Sequence, residues 1–251
     1  MRIAIVLLSI VWKIYFGIFF LVSIVLFYPI IFPFLFSEKG KKRSFRLFVA
    51  WSWTVRLFGF YSVRKIKNFK LPNGPYIIVA NHTSYLDIFL LPSILPFNPF
   101  LFLGKSEILM YPLLKTYFKR LNIPVYRGSG IRAARSLIKA SKALKEGWSL
   151  AIFPEGGIPE HGHPKMIPFK DGAFQLAKSV NVPIVPVTFL NNYRLLSEPI
   201  KIFRSARPGR SDVFIHQYIS IEEVQALSKK ELNAKCFSIV NGPIVSSRKE
   251  M

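Results

Sequence analysis

The segment Asn81-His82-Thr83-Ser84-Tyr85-Leu86-Asp87 sets an imidazole five residues ahead of a carboxylate. Around an ideal helix, residues so spaced lie about 140° apart and cannot share one face. They meet only if His82 stands in a loop and Asp87 in the first turn of the helix that follows, with Thr83 or Ser84 near the cap. A carboxylate then holds one ring nitrogen and leaves the other free as a general base. Ser84-x-x-Asp87 also has the form of a capping box, in which Asp87 serves only backbone N–H groups. Both readings are open at this level. Elsewhere the reactive residue types have less company. Glu160-His161-Gly162-His163 lacks the further spaced ligands a metal site needs and reads as an exposed loop, so no metal is expected. His216 lies in a strand pattern and reads as structural, and the lone Cys236 has no neighbouring cue for activation. There is no Gly-x-Ser-x-Gly elbow, which disfavours a serine hydrolase.

Four more segments follow in order. Ile123-Pro124-Val125-Tyr126-Arg127-Gly128 is an apolar run ending in an arginine. Phe153-Pro154-Glu155-Gly156-Gly157 and Phe169-Lys170-Asp171-Gly172-Ala173-Phe174 each join an aromatic residue to charge and glycine. Val182-Pro183-Ile184-Val185-Pro186-Val187 is an apolar run bounded by prolines. With Asn81-His82-x4-Asp87, these segments resemble the signature elements of the PlsC-like glycerolipid acyltransferases, the 1-acylglycerol-3-phosphate acyltransferases and their relatives, across roughly residues 76–190.

The resemblance implies that His82 takes the proton from an acceptor hydroxyl as it attacks an acyl thioester. Asp87 orients the ring, and no acyl-enzyme forms. Arg127 would bind the acceptor phosphate, a task that suits a planar guanidinium. Glu155 would shape the acceptor site, Gly156 and Gly157 would let backbone N–H groups approach an oxygen, and Lys170 would give a second phosphate contact. Acyl-carrier protein or acyl-CoA would donate the chain, and no cofactor is expected. One departure stands out. Phosphatidate-forming members follow Glu-Gly with Thr-Arg-Ser, where this chain has Gly157-Ile158-Pro159. That arginine is missing, which leaves Arg127, Lys165 and Lys170 to supply positive charge. The acceptor is then either lysophosphatidic acid, giving phosphatidic acid, or another lysolipid such as a lyso-aminolipid.

The elements that position these residues are legible around them. Tyr76-Ile77-Ile78-Val79-Ala80, directly before the His-x4-Asp segment, is an apolar run of the buried-strand kind. Similar runs occupy 121–126, 149–153, 183–188 and 213–219. Helical periodicity follows Ser129, with Ile131, Leu137, Ile138 and Leu144 on one expected face and Gly147 as a stop. Further helices are expected over Asp171 to Ser179 and from Ile221 to about Val240, the last opened by a Ser220/Glu223 capping box, with 240–251 a frayed polar end. Strands alternating with helices predict an α/β fold: a mixed, largely parallel sheet covered by helices.

Composition frames this domain. Of the 251 residues 51% are hydrophobic and 19% charged, which excludes a disordered chain, and a single cysteine excludes a disulfide-built one. Lys+Arg 35 against Asp+Glu 13 gives +22, an excess that calls for an anionic partner. The apolar residues are concentrated in the first third, which favours anionic membrane lipids over nucleic acid; no zinc-knuckle spacing or RNP-like strand is present. From Ile3 to Phe36 the only charge is Lys13, and no small-residue cleavage site follows, so the run reads as a retained anchor bent or broken at Pro29 and Pro33. Lys39, Lys41, Lys42, Arg43 and Arg46 come next, a block that places that end on the cytoplasmic side. Trp51 and Trp53 stand where interface anchors would. Residues 1–70 are therefore expected to form membrane-associated helices and 71–251 the α/β domain. A basic membrane- or nucleic-acid-binding module without catalysis is the non-enzymatic alternative, and it predicts indifference to loss of His82.

Overall fold

A computed structural model of the chain describes residues 2–126, 130–159, 165–197 and 203–249. Seven strands are present among them: β1 (Tyr61–Asn68), β2 (Ile77–Ala80), β3 (Phe100–Lys105), β4 (Ile123–Val125), β5 (Ser149–Ile152), β6 (Ile184–Phe189) and β7 (Gly209–Ile215). They form one sheet in the order β1-β7-β6-β2-β5-β3-β4. Five of its six pairings are parallel, and only β6 against β7 is antiparallel. The mixed, largely parallel sheet is thus as the sequence pattern predicts. Strands β2, β5 and β6 are buried along their whole length, as apolar runs covered on both faces should be. The edges differ. β1 carries Arg64, Lys65 and Lys67 towards solvent, and β4 is three residues long and contains Pro124, two ways of blunting an edge.

The pleat divides the core. Ile77, Val79, Leu150, Ile152 and Ile184 face one side, against α5 (Gly130–Lys145), α6 (Gly172–Val180) and α9 (Lys229–Lys249). Ile78, Ala80, Ala151, Val185 and Val187 face the other, against α1 (Arg2–Ile31), α2 (Glu38–Phe58) and α3 (Tyr85–Ile94). The remaining helices are α4 (Pro112–Leu121) and the short α7 (Asn192–Leu195) and α8 (Ile221–Ala226).

Three sequence expectations need correction. On α5 the buried stripe is Ser136, Ala140, Ala143 and Leu144, while Ile131 and Ile138 are 71% and 68% exposed. The stripe has helical spacing in both cases; small side chains win because they let the helix approach the sheet. The helix expected from Ile221 is two, broken before Lys229, and the second runs on to Lys249 with Leu232, Cys236, Val240 and Ile244 buried at four-residue intervals. Residues 241–249 are therefore helical rather than frayed, and 250–251 lie outside the described residues. Strands β1 and β3 were not expected. β1 lies inside the region 1–70, so the helical part of that region ends at Phe58.

At the N-terminus, α1 continues through Pro29 and ends at Ile31, and the break falls in a 3₁₀ turn, Phe32–Phe36, that contains Pro33. Ser37 then caps α2, accepting from Gly40 N–H at 3.0 Å. Gly40 is obligatory for that return: a Cβ there would stand 2.5 Å from Phe34 O. Aromatic polar atoms fasten α1 to the domain, with Trp12 Nε1 donating to Tyr61 Oη at 3.0 Å and Trp51 Nε1 to Ser23 Oγ at 3.0 Å. Trp51 thus packs between helices, whereas Trp53 is exposed. The stretch Ala4–Phe36 is long and apolar enough to cross a membrane, and 22% of its most apolar window is buried by the protein.

Candidate active site

Val79 of β2, Ile152 of β5, Leu103 of β3, Ile123 of β4 and Pro186 of β6 stand in one row across the parallel part of the sheet. Because these strands run the same way, the residues just beyond the row gather at one edge. Three positions on are His82, Glu155 and Phe189, and two positions on is Lys105. The carboxyl ends of parallel strands are where such folds place ligands.

His82 lies in the loop after β2 and Asp87 is the third residue of α3, whose N-cap is Ser84. The loop-then-helix arrangement brings His82 Nδ1 to 3.0 Å from Asp87 Oδ2. The same oxygen accepts from Thr83 N–H at 2.7 Å and Ser84 N–H at 2.9 Å, while Ser84 Oγ accepts from Leu86 N–H at 3.0 Å. Capping box and His–Asp pair are therefore one structure: the carboxylate that closes the helix is the one that faces the ring. If Nδ1–H donates to Oδ2, Nε2 is the ring nitrogen left free. The ring, 8% exposed, stacks on Phe153 with centroids 4.2 Å apart.

Glu155 is tied on both oxygens. Oε1 accepts from His82 N–H at 2.8 Å and Oε2 from Ile167 N–H at 3.0 Å. Burial raises its carboxyl to about 7; the two N–H donors pull it down and the Asp87 charge adds to the rise. Glu155 thus acts on the loops that surround the site, joining the His82 loop to residues 165–170. Gly156 closes the turn begun at Phe153, with its N–H 2.9 Å from Phe153 O and φ of 81°, a left-handed value that suits glycine. Gly157 has a different purpose: a Cβ there would stand 2.9 Å from Lys105 Nζ. Lys170 donates its backbone N–H to Pro154 O at 2.9 Å, and its side chain is exposed. Arg127 lies outside the described residues, as does the Glu160–His163 segment. Among the described residues no group of three His, Cys, Asp or Glu could hold a metal ion.

Two residues near the site have no counterpart in the sequence reading. Lys105 closes β3, a strand that was not foreseen. Asn192, on α7, donates Nδ2–H to Asp87 Oδ1 at 2.8 Å from 105 positions along the chain. No local pattern announces a contact of that range. Away from the site, His216 lies just past the end of β7 rather than within the strand expected over 213–219: its Nε2 meets Thr188 Oγ1 at 2.9 Å, that hydroxyl donates to Val240 O at 2.8 Å, and burial lowers the imidazole to about 4. Cys236 is fully buried, which pushes its thiol up.

A line of rings leads from the dyad into the protein. Phe153 stacks parallel to Phe102, Phe102 meets Phe100 edge-on at 5.3 Å, and Phe100 meets Phe45 at 5.0 Å. It ends at a mainly apolar recess between α2 and β3, where Phe45, Phe48, Phe100, Phe102 and Trp148 are joined by the polar Lys41, Ser44 and Asn122.

Comparison with known proteins identifies relatives of the chain and of its fold. A family model described as Acyltransferase matches residues 58–190. The chain is 28% identical over 168 residues to a chloroplastic 1-acyl-sn-glycerol-3-phosphate acyltransferase of Brassica napus, a match covering 65% of this chain and 48% of the relative. It is 31% identical over 182 residues to the 1-acyl-sn-glycerol-3-phosphate acyltransferase of Saccharomyces cerevisiae, covering 70% of this chain and 59% of that one. The matches span about half the length of these relatives. The crystal structure of PlsC, the 1-acyl-sn-glycerophosphate (LPA) acyltransferase of Thermotoga maritima, superposes with a TM-score of 0.77 at 24% identity, covering 99% of this chain and 98% of that chain. That likeness establishes the shared fold.

Proposed function

The chain belongs to the Acyltransferase family, and from that premise we propose that it transfers an acyl chain from a thioester donor to the free hydroxyl of 1-acylglycerol-3-phosphate, giving phosphatidic acid. His82 Nε2 accepts the hydroxyl proton as the oxygen attacks the thioester carbonyl. Asp87 holds the resulting imidazolium through Nδ1–H. When the tetrahedral intermediate collapses, the new ester C–O bond remains, the C–S bond breaks, and the proton passes to the departing thiol. The observation that carries this reading is the 3.0 Å contact between His82 Nδ1 and an Asp87 whose Oδ2 is also held by two backbone N–H groups.

Phosphate recognition is supported by Lys105 as well as by Arg127 and Lys170. Gly157 stands where phosphatidate-forming members carry threonine, and the missing Cβ makes room for the Lys105 ammonium. A cation is thereby supplied beside the position that lacks the family's arginine. Glu155 and Gly156 hold the shape of this wall, and the acyl chain runs along Phe153 and Phe102 into the recess beside α2. Burying it there is worth about 0.8 kcal/mol per methylene.

Membrane association belongs to the same proposal. α1 inserts its apolar face into the bilayer, Lys39 to Arg46 meet anionic headgroups, and the domain lies on the cytoplasmic face. The donor is acyl-carrier protein or acyl-CoA; both are anionic and suit a protein of charge +22. Neither a cofactor nor nucleic acid has a part in this scheme.

A second reading keeps the chemistry and changes the acceptor, and Gly157-Ile158-Pro159 favours it. The test offers the purified protein each donor type with a panel of lysolipids and identifies products by mass spectrometry. Phosphatidic acid as the main product supports the first reading. Product only from a lyso-aminolipid or other headgroup moves the assignment to the second, and no transfer with any pair overturns both.

A further inference from the structure

The last residue of β6 and the segment after it grip the loop that carries His82 at three points. Asn81 Nδ2–H donates to Phe189 O at 2.9 Å while Phe189 N–H donates to Asn81 Oδ1 at 2.8 Å. Ser84 Oγ–H donates to Leu196 O. The third grip is Asn192 on Asp87, and it differs from the others in what it leaves unsatisfied.

Asn192 is fully buried, and its Oδ1 has no protein partner among the described residues. A buried amide oxygen without a donor is destabilising, and native cores rarely keep one. Turning the amide over would not help, because Oδ1 would then face Asp87 Oδ1, acceptor against acceptor. The carboxylate therefore dictates the amide's orientation. A leucine has nearly the same shape and would fill the space with no unpaired atom, so packing alone does not account for an asparagine here. What the asparagine provides is a donor to the one Asp87 oxygen that the helix N-terminus does not reach. Asp87 Oδ2 is taken by His82, Thr83 and Ser84, and Oδ1 by Asn192 alone in the described structure.

We infer that Asn192 is a positioning residue for acyl transfer: by pinning the far oxygen of Asp87 it fixes the carboxylate plane, and through it the tautomer and tilt of the His82 ring. The inference rests on the reaction proposed above, since it needs His82 to be the base. It extends the working site past the last of the sequence blocks, to a helix that contributes no group to the substrate.

The test compares wild type with Asn192→Leu and Asn192→Ala in two measurements. In steady-state acyl transfer, both variants are expected to lose kcat by about 10- to 100-fold, the usual consequence of a slightly misplaced catalytic group, with KM for donor and acceptor unchanged. In ¹⁵N-histidine-labelled protein, wild-type His82 is expected to show a single tautomer with the proton on Nδ1, and the variants a mixture. Asn192→Ala keeps the comparison available if the leucine does not pack. Wild-type kcat and an unchanged His82 tautomer in either folded variant would overturn the inference. If wild type transfers no acyl group at all, the proposed reaction fails, and the tautomer comparison still decides whether Asn192 orients the pair.

Discussion

The two sides of the site are built by opposite means. Around His82 and Asp87 most polar groups are buried and tied to backbone or to one another, from the Ser84 cap to the Asn192 Nδ2–H, with Thr83 Oγ1 and Asn192 Oδ1 the exceptions among the described residues. On the proposed acceptor side the cationic groups are exposed lysines beside glycines, with Lys105 lying over Gly157 and held by no partner side chain among the described residues, while Glu155 behind them is buried. A rigid pair and an adjustable cationic wall have different tolerances. The first must hold a proton-transfer geometry to a fraction of an ångström, while the second needs only charge near a headgroup. The difference predicts that substitutions on the two sides move different kinetic quantities.

The largest effect belongs to Asp87→Asn. Two backbone N–H groups and the Asn192 amide would then compete for the single side-chain oxygen, and the ring would lose the charge that stabilises its protonated form. Initial rates over an acceptor series should show kcat down by about 10²- to 10⁴-fold with KM little changed. A KM effect of the same size would erase the contrast between the two sides.

Lys105→Ala should behave the other way. KM for a phosphate-bearing acceptor is expected to rise about tenfold, the value of one charge-assisted hydrogen bond, with kcat retained and little change for a neutral headgroup. Gly157→Ala gives a milder version, because the new methyl displaces only the flexible end of the lysine. Equal losses with charged and neutral acceptors would assign Lys105 to the fold instead.

Phe48→Trp sharpens the account of the recess by narrowing it without touching the dyad. Competition between donors of different length should shift towards shorter chains, by about fourfold for each methylene excluded, from ~0.8 kcal/mol apiece. An unchanged chain preference would move the acyl path elsewhere.

The smallest net effect is on stability against pH. Glu155 is raised from 4.5 to about 7, so between those values the folded protein holds more protons than the unfolded and stability falls as pH rises. His216 is lowered from 6.5 to about 4, so over that window the folded protein holds fewer protons and stability falls as pH drops. The two slopes oppose each other between 4.5 and 6.5. Thermal unfolding across that range should be nearly flat for wild type. Glu155→Gln should leave a curve that rises with pH and His216→Gln one that falls, each by at most about 3 kcal/mol. Parallel curves for all three proteins would show that neither group titrates in the fold as its burial requires.

The same contrast explains what was legible in the sequence. The dyad was readable because its geometry is local: His82, Ser84 and Asp87 fall within one loop and one helical turn, where spacing and capping chemistry constrain each other. Central strands were readable because burial on both faces leaves an unbroken apolar run, as in Ile77–Ala80 and Ile184–Phe189. Edge strand β1 was hidden by the charges that protect it, since Val63-Arg64-Lys65-Ile66-Lys67 reads as a continuation of the basic region. The packing face of α5 was misread because Ala140 and Ala143, not the larger isoleucines, meet the sheet. Lys105 and Asn192 were missed for a common reason. Each reaches the site only through the register of the sheet, and no short-range pattern encodes that.

The most direct test is the initial rate of phosphatidic acid formation by wild type and His82→Ala, at equal amounts of folded membrane-associated protein and saturating donor and acceptor. Loss of the base should lower kcat by about 10²- to 10⁴-fold in a variant that still folds, binds membranes and keeps its KM for the acceptor. A His82→Ala protein that makes phosphatidic acid within threefold or so of the wild-type rate would contradict the assignment of His82 as the base.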